Sequence, residues 1–149
     1  LLSAVVAQMA KEVGPDLRFQ LLVYPVTDGS RFDTESYIAN ADGYTLTLDL
    51  MRWFWDHYAN PAQRLDPRAS PLLANDLSGL PPAMIMTAEY DPLRDEGEAY
   101  GAHLADAGVS VETIRFDGFI HGFFAQTQTV SATRPAMQKA CDALKSALI

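Results

Sequence analysis

A single cysteine, Cys141, stands in 149 residues, so no internal disulfide can staple this chain. That usage fits a reducing compartment without requiring one. Basic residues are also scarce: 11 Lys and Arg against 19 Asp and Glu give a formal charge of −8. A phosphate-backbone ligand needs clustered cations to release its counterions, so nucleic acid is not an expected partner. Long apolar runs are missing too, since nothing approaches the roughly 18 residues that span a bilayer, and Leu1 to Val6 shows neither a charged leader nor a cleavage pattern. A cytoplasmic protein is expected, with a targeting signal ahead of Leu1 left open. There is no His-Glu-x-x-His and no cysteine cluster, so neither a metal nor a cofactor is expected.

What is present reads as a globular α/β chain. Hydrophobic residues make up 48% and charged ones 20%, ordinary values for a packed core. Strand and helix patterns alternate with turn signals between them, as βα units of a parallel sheet require. Leu2, Val5, Val6, Met9 and Val13 recur at helical spacing until Gly14-Pro15 stops the helix. Leu17 to Tyr24 is an apolar run ended by Pro25, the pattern of a strand covered on both faces. Ala83 to Ala88 and Val109 to Phe116 are the second and third expected strands. The helix between them is expected to start at an Asp95 cap and to turn Gly97, Tyr100, Gly101, Leu104 and Gly108 towards the sheet. A last helix, from about Pro135 to Leu148, carries Met137, Ala140, Cys141, Leu144 and Leu148 as its expected buried stripe. The stretch from Asp28 to Leu80 is too long for a simple crossover; within it Thr47 caps a helix whose Leu50, Met51, Phe54, Trp55 and Tyr58 share a face. No repeat or low-complexity segment interrupts the chain.

Two motifs carry chemistry. Asp91-Pro-Leu-Arg-Asp-Glu-Gly97 follows the second strand, and Ile120-His-Gly-Phe123 comes about thirty residues later, after the third. One offers a carboxylate, the other an imidazole, both near the C-terminal ends of parallel strands where active sites of α/β sheets collect. A histidine that takes a proton from a nucleophile near neutral pH needs an acid behind it to fix its tautomer. The simpler readings stand beside this one: an aspartate before proline is often a turn-former, and a histidine among apolar neighbours is often a satisfied structural one. Asp95 and Glu96 are second-choice acids, the first having a capping role and the second suiting the helix dipole. His57 and His103 are read as structural or surface residues.

Together with Gln20 to Asp28, Asn40 to Leu46, Asp66 to Leu72 and Leu80 to Asp91, these motifs resemble the bacterial hormone-sensitive-lipase-like esterases of the α/β-hydrolase fold, over essentially the whole chain. The resemblance implies the C-terminal part of such a hydrolase: three parallel strands, flanking helices, and a helical cap insertion within residues 29–80. It also implies ester hydrolysis by a Ser-Asp-His triad in which Asp91 and His121 are the acid and the base. Phe54, Leu93 and Ile120 are the expected substrate-binding residues, and a small ester the expected substrate. The family's Gly-x-Ser-x-Gly elbow and oxyanion loop are not in these residues. By family spacing Leu1 falls a few positions after the serine, so a companion N-terminal portion is expected to supply both. The nearest decoy, Gly108 to Glu112 around Ser110, lacks the second glycine and leads into a strand. A homodimer is left open. Two other readings remain at this level: a hydrolase-derived module that binds without catalysis, and a phosphoacceptor domain using Asp28 and Asp91.

Overall fold

A computed structural model of the chain describes residues 2–149. Leu1, expected just behind a nucleophile, lies outside the described residues. The main elements run α1 (Leu2–Val13), β1 (Gln20–Val23), α2 (Glu35–Ala39), α3 (Leu48–Tyr58), β2 (Ala83–Tyr90), α4 (Arg94–Asp106), β3 (Val111–Ile120) and α5 (Arg134–Leu148). Among the described residues the strands form one parallel sheet in the order β1-β2-β3. Helices α1 and α4 pack on one face through Ala4, Ala7, Tyr100 and Leu104 against Leu22 and Ile85. On the other face Ala140 and Ala143 of α5 meet Met84 and Met86. The central strand is therefore buried along its first six residues, which is why its sequence is an unbroken apolar run. No helix among the described residues is long and apolar enough to cross a membrane.

Expectations for β1, α4 and α5 need correction. β1 starts at Gln20, not Leu17, because its partner begins only at Ala83, after Pro81 and Pro82, which have no N–H to donate. α4 begins at Arg94 with no side-chain cap from its own Leu93; the Leu93 N–H goes to the Asp91 carboxylate, the Arg94 N–H to the Asp91 carbonyl and the Asp95 N–H to the Ser36 hydroxyl. In α1 the buried residues are Ala4, Val5 and Ala7, whereas Leu2, Val6, Met9 and Val13 are exposed. In α5 the buried residues are Ala136 and Ala140, with Cys141 exposed and Leu144 and Leu148 also exposed. In both helices the small side chains let the backbone approach the sheet closely, which rotates the contact face away from the longer apolar residues.

β3 departs most from its sequence pattern. Asp117-Gly118 reads as a turn that ends the strand at Phe116, yet the strand continues to Ile120. Ala88 pairs with Phe116, but Tyr90 pairs with Ile120, so the register slips by two residues in a bulge. Gly118 adopts a φ of +79° there, and its N–H donates to Glu89 Oε2 at 2.6 Å. A side chain at this left-handed position costs about 1–2 kcal/mol. Gly118→Ala should lower unfolding stability by that amount in urea denaturation, while Gly118→Asn, a residue that tolerates this region, should lose less.

Candidate active site

The bulge sets the height of the two chemical groups. Because Tyr90 and Ile120 are partners, the next residue on each chain, Asp91 and His121, leaves the sheet at the same level. His121 Nδ1 lies 2.7 Å from Asp91 Oδ2. The side chain of Asp91 is 1% exposed and that of His121 22%. The second carboxylate oxygen, Oδ1, accepts the Leu93 N–H at 2.9 Å, so Asp91 is held from two sides in a fixed orientation. With the carboxylate ionised, the short bond places the imidazole proton on Nδ1 and leaves Nε2 as a free acceptor. Gly122 follows with φ +88°, turning the chain immediately after the imidazole. Among the described residues no hydroxyl or thiol bonds to His121.

Tyr24 packs against that imidazole, with ring centroids 4.5 Å apart and planes 51° apart. It follows β1 directly, with φ +37°, in the left-handed region. The phenol is raised above its ordinary pKa by burial and by the Asp91 charge. Sequence reading used only Pro25 as a strand terminator and missed this contact; the Tyr-Pro pair at the strand end was its visible signal.

An apolar cavity of about 470 Å³ opens beside His121, lined by Val26, Leu46, Met51, Phe54, Trp55, His57, Tyr58, Leu93 and His121. Phe54 and Leu93 are there as expected. Ile120 is not, since it is the last residue of β3 and pairs with Tyr90. The α3 face divides: Met51 and Trp55 are buried, whereas Phe54 is 48% exposed and Leu50 and Tyr58 are also open. Thr47 caps the helix by accepting the Leu50 N–H. His57, read as structural or surface, is exposed but borders the cavity. Its Nδ1 lies 2.8 Å from the Trp53 carbonyl. His103 is remote, with Nδ1 3.3 Å from the Leu72 carbonyl.

The alternative acids are committed elsewhere. Asp95 does not cap its own helix; its Oδ2 accepts the Ser36 N–H at 2.7 Å, capping α2, while Oδ1 accepts from Arg94. Asp28 accepts from the Ser30 backbone and hydroxyl. Glu96 is buried, with Oε1 accepting the Thr27 N–H at 2.6 Å and the Asp28 N–H at 3.3 Å. Burial pushes its carboxyl up to about 8, with the Asp28 charge adding to the rise and these N–H groups and Tyr37 opposing it. Tyr37 is itself raised well above the ordinary phenol range, by burial first and then by the Glu96 carboxylate. The Tyr37 hydroxyl and Glu96 Oε2 are thus near neighbours, though neither completes a well-formed hydrogen bond. No group of three His, Cys, Asp or Glu side chains disposed to hold a metal occurs among the described residues.

Residues 1–125 match the family described as alpha/beta hydrolase fold. The chain is 39% identical over 134 residues to an ethyl acetate hydrolase of Pseudomonas putida, covering 88% of this chain and 41% of that protein. It is 41% identical over 152 residues to the carboxylesterase NlhH of Mycobacterium tuberculosis, covering 99% of this chain and 47% of that protein. Among solved structures, a thermostable esterase from Pseudomonas putida superposes with a TM-score of 0.87 at 51% identity, covering 92% of this chain and 44% of that one. A thermostable carboxylesterase cloned from a metagenomic library gives a TM-score of 0.94 at 39% identity, covering 99% of this chain and 51% of that one. The chain spans less than half the length of the two curated relatives named. It belongs to the α/β-hydrolase fold family.

Proposed function

We propose that the full-length protein hydrolyses carboxylic esters through an acyl-enzyme, with Asp91 and His121 as two members of the triad. The observation that carries this is the 2.7 Å bond from His121 Nδ1 to a buried, doubly held carboxylate, beside an apolar cavity. The names of the relatives, an ethyl acetate hydrolase and a carboxylesterase, agree with it. The nucleophilic serine and the oxyanion donors come from a portion of the protein outside this chain. His121 Nε2 takes the serine proton as the serine oxygen bonds to the acyl carbon. It then returns a proton to the alkoxide oxygen as the ester C–O bond breaks. Water repeats the sequence on the acyl-enzyme and releases the acid. Asp91 keeps the imidazole in the tautomer this requires and stabilises the imidazolium. The cavity residues Phe54, Met51, Leu46 and Leu93 give an apolar wall for the acyl or alcohol chain, and residues 29–80 act as the cap that carries most of that wall.

Full-length protein should label stoichiometrically with a fluorophosphonate and hydrolyse p-nitrophenyl esters. Labelling of any serine within these 149 residues, Ser3 and Ser30 included, would overturn the assignment. Asp91→Asn should lower kcat on the order of 10³–10⁴-fold, because the amide favours the wrong tautomer, while the melting temperature stays within a few degrees of wild type.

Phe54 offers a separate test of the cleft. At 48% exposure its truncation should cost well under the roughly 3–5 kcal/mol of a buried phenylalanine. A methylene in an apolar pocket is worth about 1–3 kcal/mol. Phe54→Ala should therefore shift the preference between short and long acyl chains by roughly tenfold to a few hundredfold, read as kcat/KM across esters from acetate to decanoate. An unchanged chain-length profile would remove Phe54 from the site.

A further inference from the structure

Glu96 is a buried ionisable group that the mechanism above leaves unused. It sits in the first turn of α4, five residues after Asp91, and is 3% exposed. Its Oε1 accepts the N–H groups of Thr27 and Asp28, and its own backbone carbonyl accepts the Thr27 hydroxyl at 2.8 Å. Those three bonds join the first residues after β1 to the helix behind the Asp91 loop. The joined segments each contribute to the cavity wall: Val26 precedes Thr27, and Leu93 lies between Asp91 and Glu96. We propose that Glu96 is a positioning residue which latches the start of the cap to the α4 turn and so fixes the cleft wall against the Asp91–His121 pair.

The surroundings explain why the neutral form is the one that fits. Burial and the Asp28 charge raise this carboxyl across the junction, and the Tyr37 hydroxyl and the two backbone N–H groups only partly oppose the rise. Asp28 approaches from the segment after β1, Tyr37 from α2, and Asp91, close enough to raise the Tyr37 phenol, from the β2–α4 turn. The cation in the same turn, Arg94, is spent on the Asp95 carboxylate and the Glu89 carbonyl. As an acid, Glu96 can share one proton between its Oε2 and the Tyr37 hydroxyl, both buried without a completed hydrogen bond, and keep Oε1 for the backbone. As a carboxylate, it places a second charge beside Asp28 in a desolvated seam, which the Thr27 and Asp28 N–H groups offset only in part. The carboxyl is held up to about 8, against an ordinary 4.5. The proton is thus bound more tightly in the folded state, and the penalty of losing it grows as pH rises from about 4.5 to 8 and then stays level.

This inference rests on the proposed ester hydrolysis for its kinetic readout, and on melting curves for one that does not. In the full-length protein, kcat/KM should fall by about threefold or more between pH 7 and pH 9.5, chiefly through KM. Glu96→Gln keeps the backbone acceptor without a titrating proton, so its alkaline decline should vanish. Its melting temperature relative to wild type should climb by roughly 5 °C or more from pH 5 to pH 8 and then level off. Glu96→Ala, which loses the latch, should raise KM at every pH. An alkaline limb in Glu96→Gln equal to wild type, or a melting difference flat across pH, overturns the proposal. Should Glu96→Ala not fold, the Gln profile and the melting series decide alone. If wild type hydrolyses no ester, the functional reading fails while the melting series still decides the role of Glu96.

Discussion

The Gly118 N–H donates to the Glu89 carboxylate at 2.6 Å, and the register of everything beyond it depends on that bond. Before the bulge, Ala88 faces Phe116; had β3 kept that pairing, Asp91 would face Phe119 and His121 would overshoot by two residues. At about 3.3 Å per residue that is roughly 7 Å, far outside hydrogen-bond range. The bulge absorbs the excess inside the strand, so acid and imidazole emerge side by side. A glycine that can adopt a left-handed φ and a glutamate that occupies the orphaned N–H are what this part of the sheet supplies to the site.

A second constraint ties the excursion between β1 and β2 to the same loop. Ser36 and Asp95 exchange bonds, each accepting the other's backbone N–H, while the Ser36 hydroxyl donates to the Pro92 carbonyl. Asn40 reaches the Asp91 carbonyl at 3.5 Å. Beneath them Leu93 packs into one cluster with Tyr37, Leu46, Met51 and Trp55. The residues that line the cavity and the residues that orient the acid are therefore parts of one packed unit.

Much of this was legible in the chain itself. Parallel strands follow from apolar runs bounded by turn signals, because burial on both faces leaves direct marks on sequence, whereas the pairing of Asp91 with His121 was legible only through the resemblance of the motifs that follow those strands to a known family. The misreadings share a different cause. Asp117-Gly118 has turn composition, and only the neighbouring Glu89 carboxylate makes it a bulge. Asp95 has the spacing of a cap, but Ser36, distant in sequence, recruits it for another helix. Leu144 and Cys141 are more apolar than the alanines beside them, yet close approach to Met84 and Met86 favours Ala140. In each case the deciding partner is remote along the chain. Local pattern cannot register it.

Tyr24 gives the imidazole a neighbour of another kind. Its ring leans on one face of His121, while the carboxylate meets the edge. Burial and the Asp91 charge keep this tyrosine a neutral phenol, so the electron-rich face of its ring remains available to a cation. When His121 takes up a proton in the proposed reaction, the new positive charge is received by a quadrupole across the ring as well as by an anion in its plane, a cation–π contact worth about 0.5–2 kcal/mol depending on desolvation. The left-handed backbone at Tyr24 thereby sets an aromatic ring 4.5 Å from the imidazole that the proposed reaction would protonate.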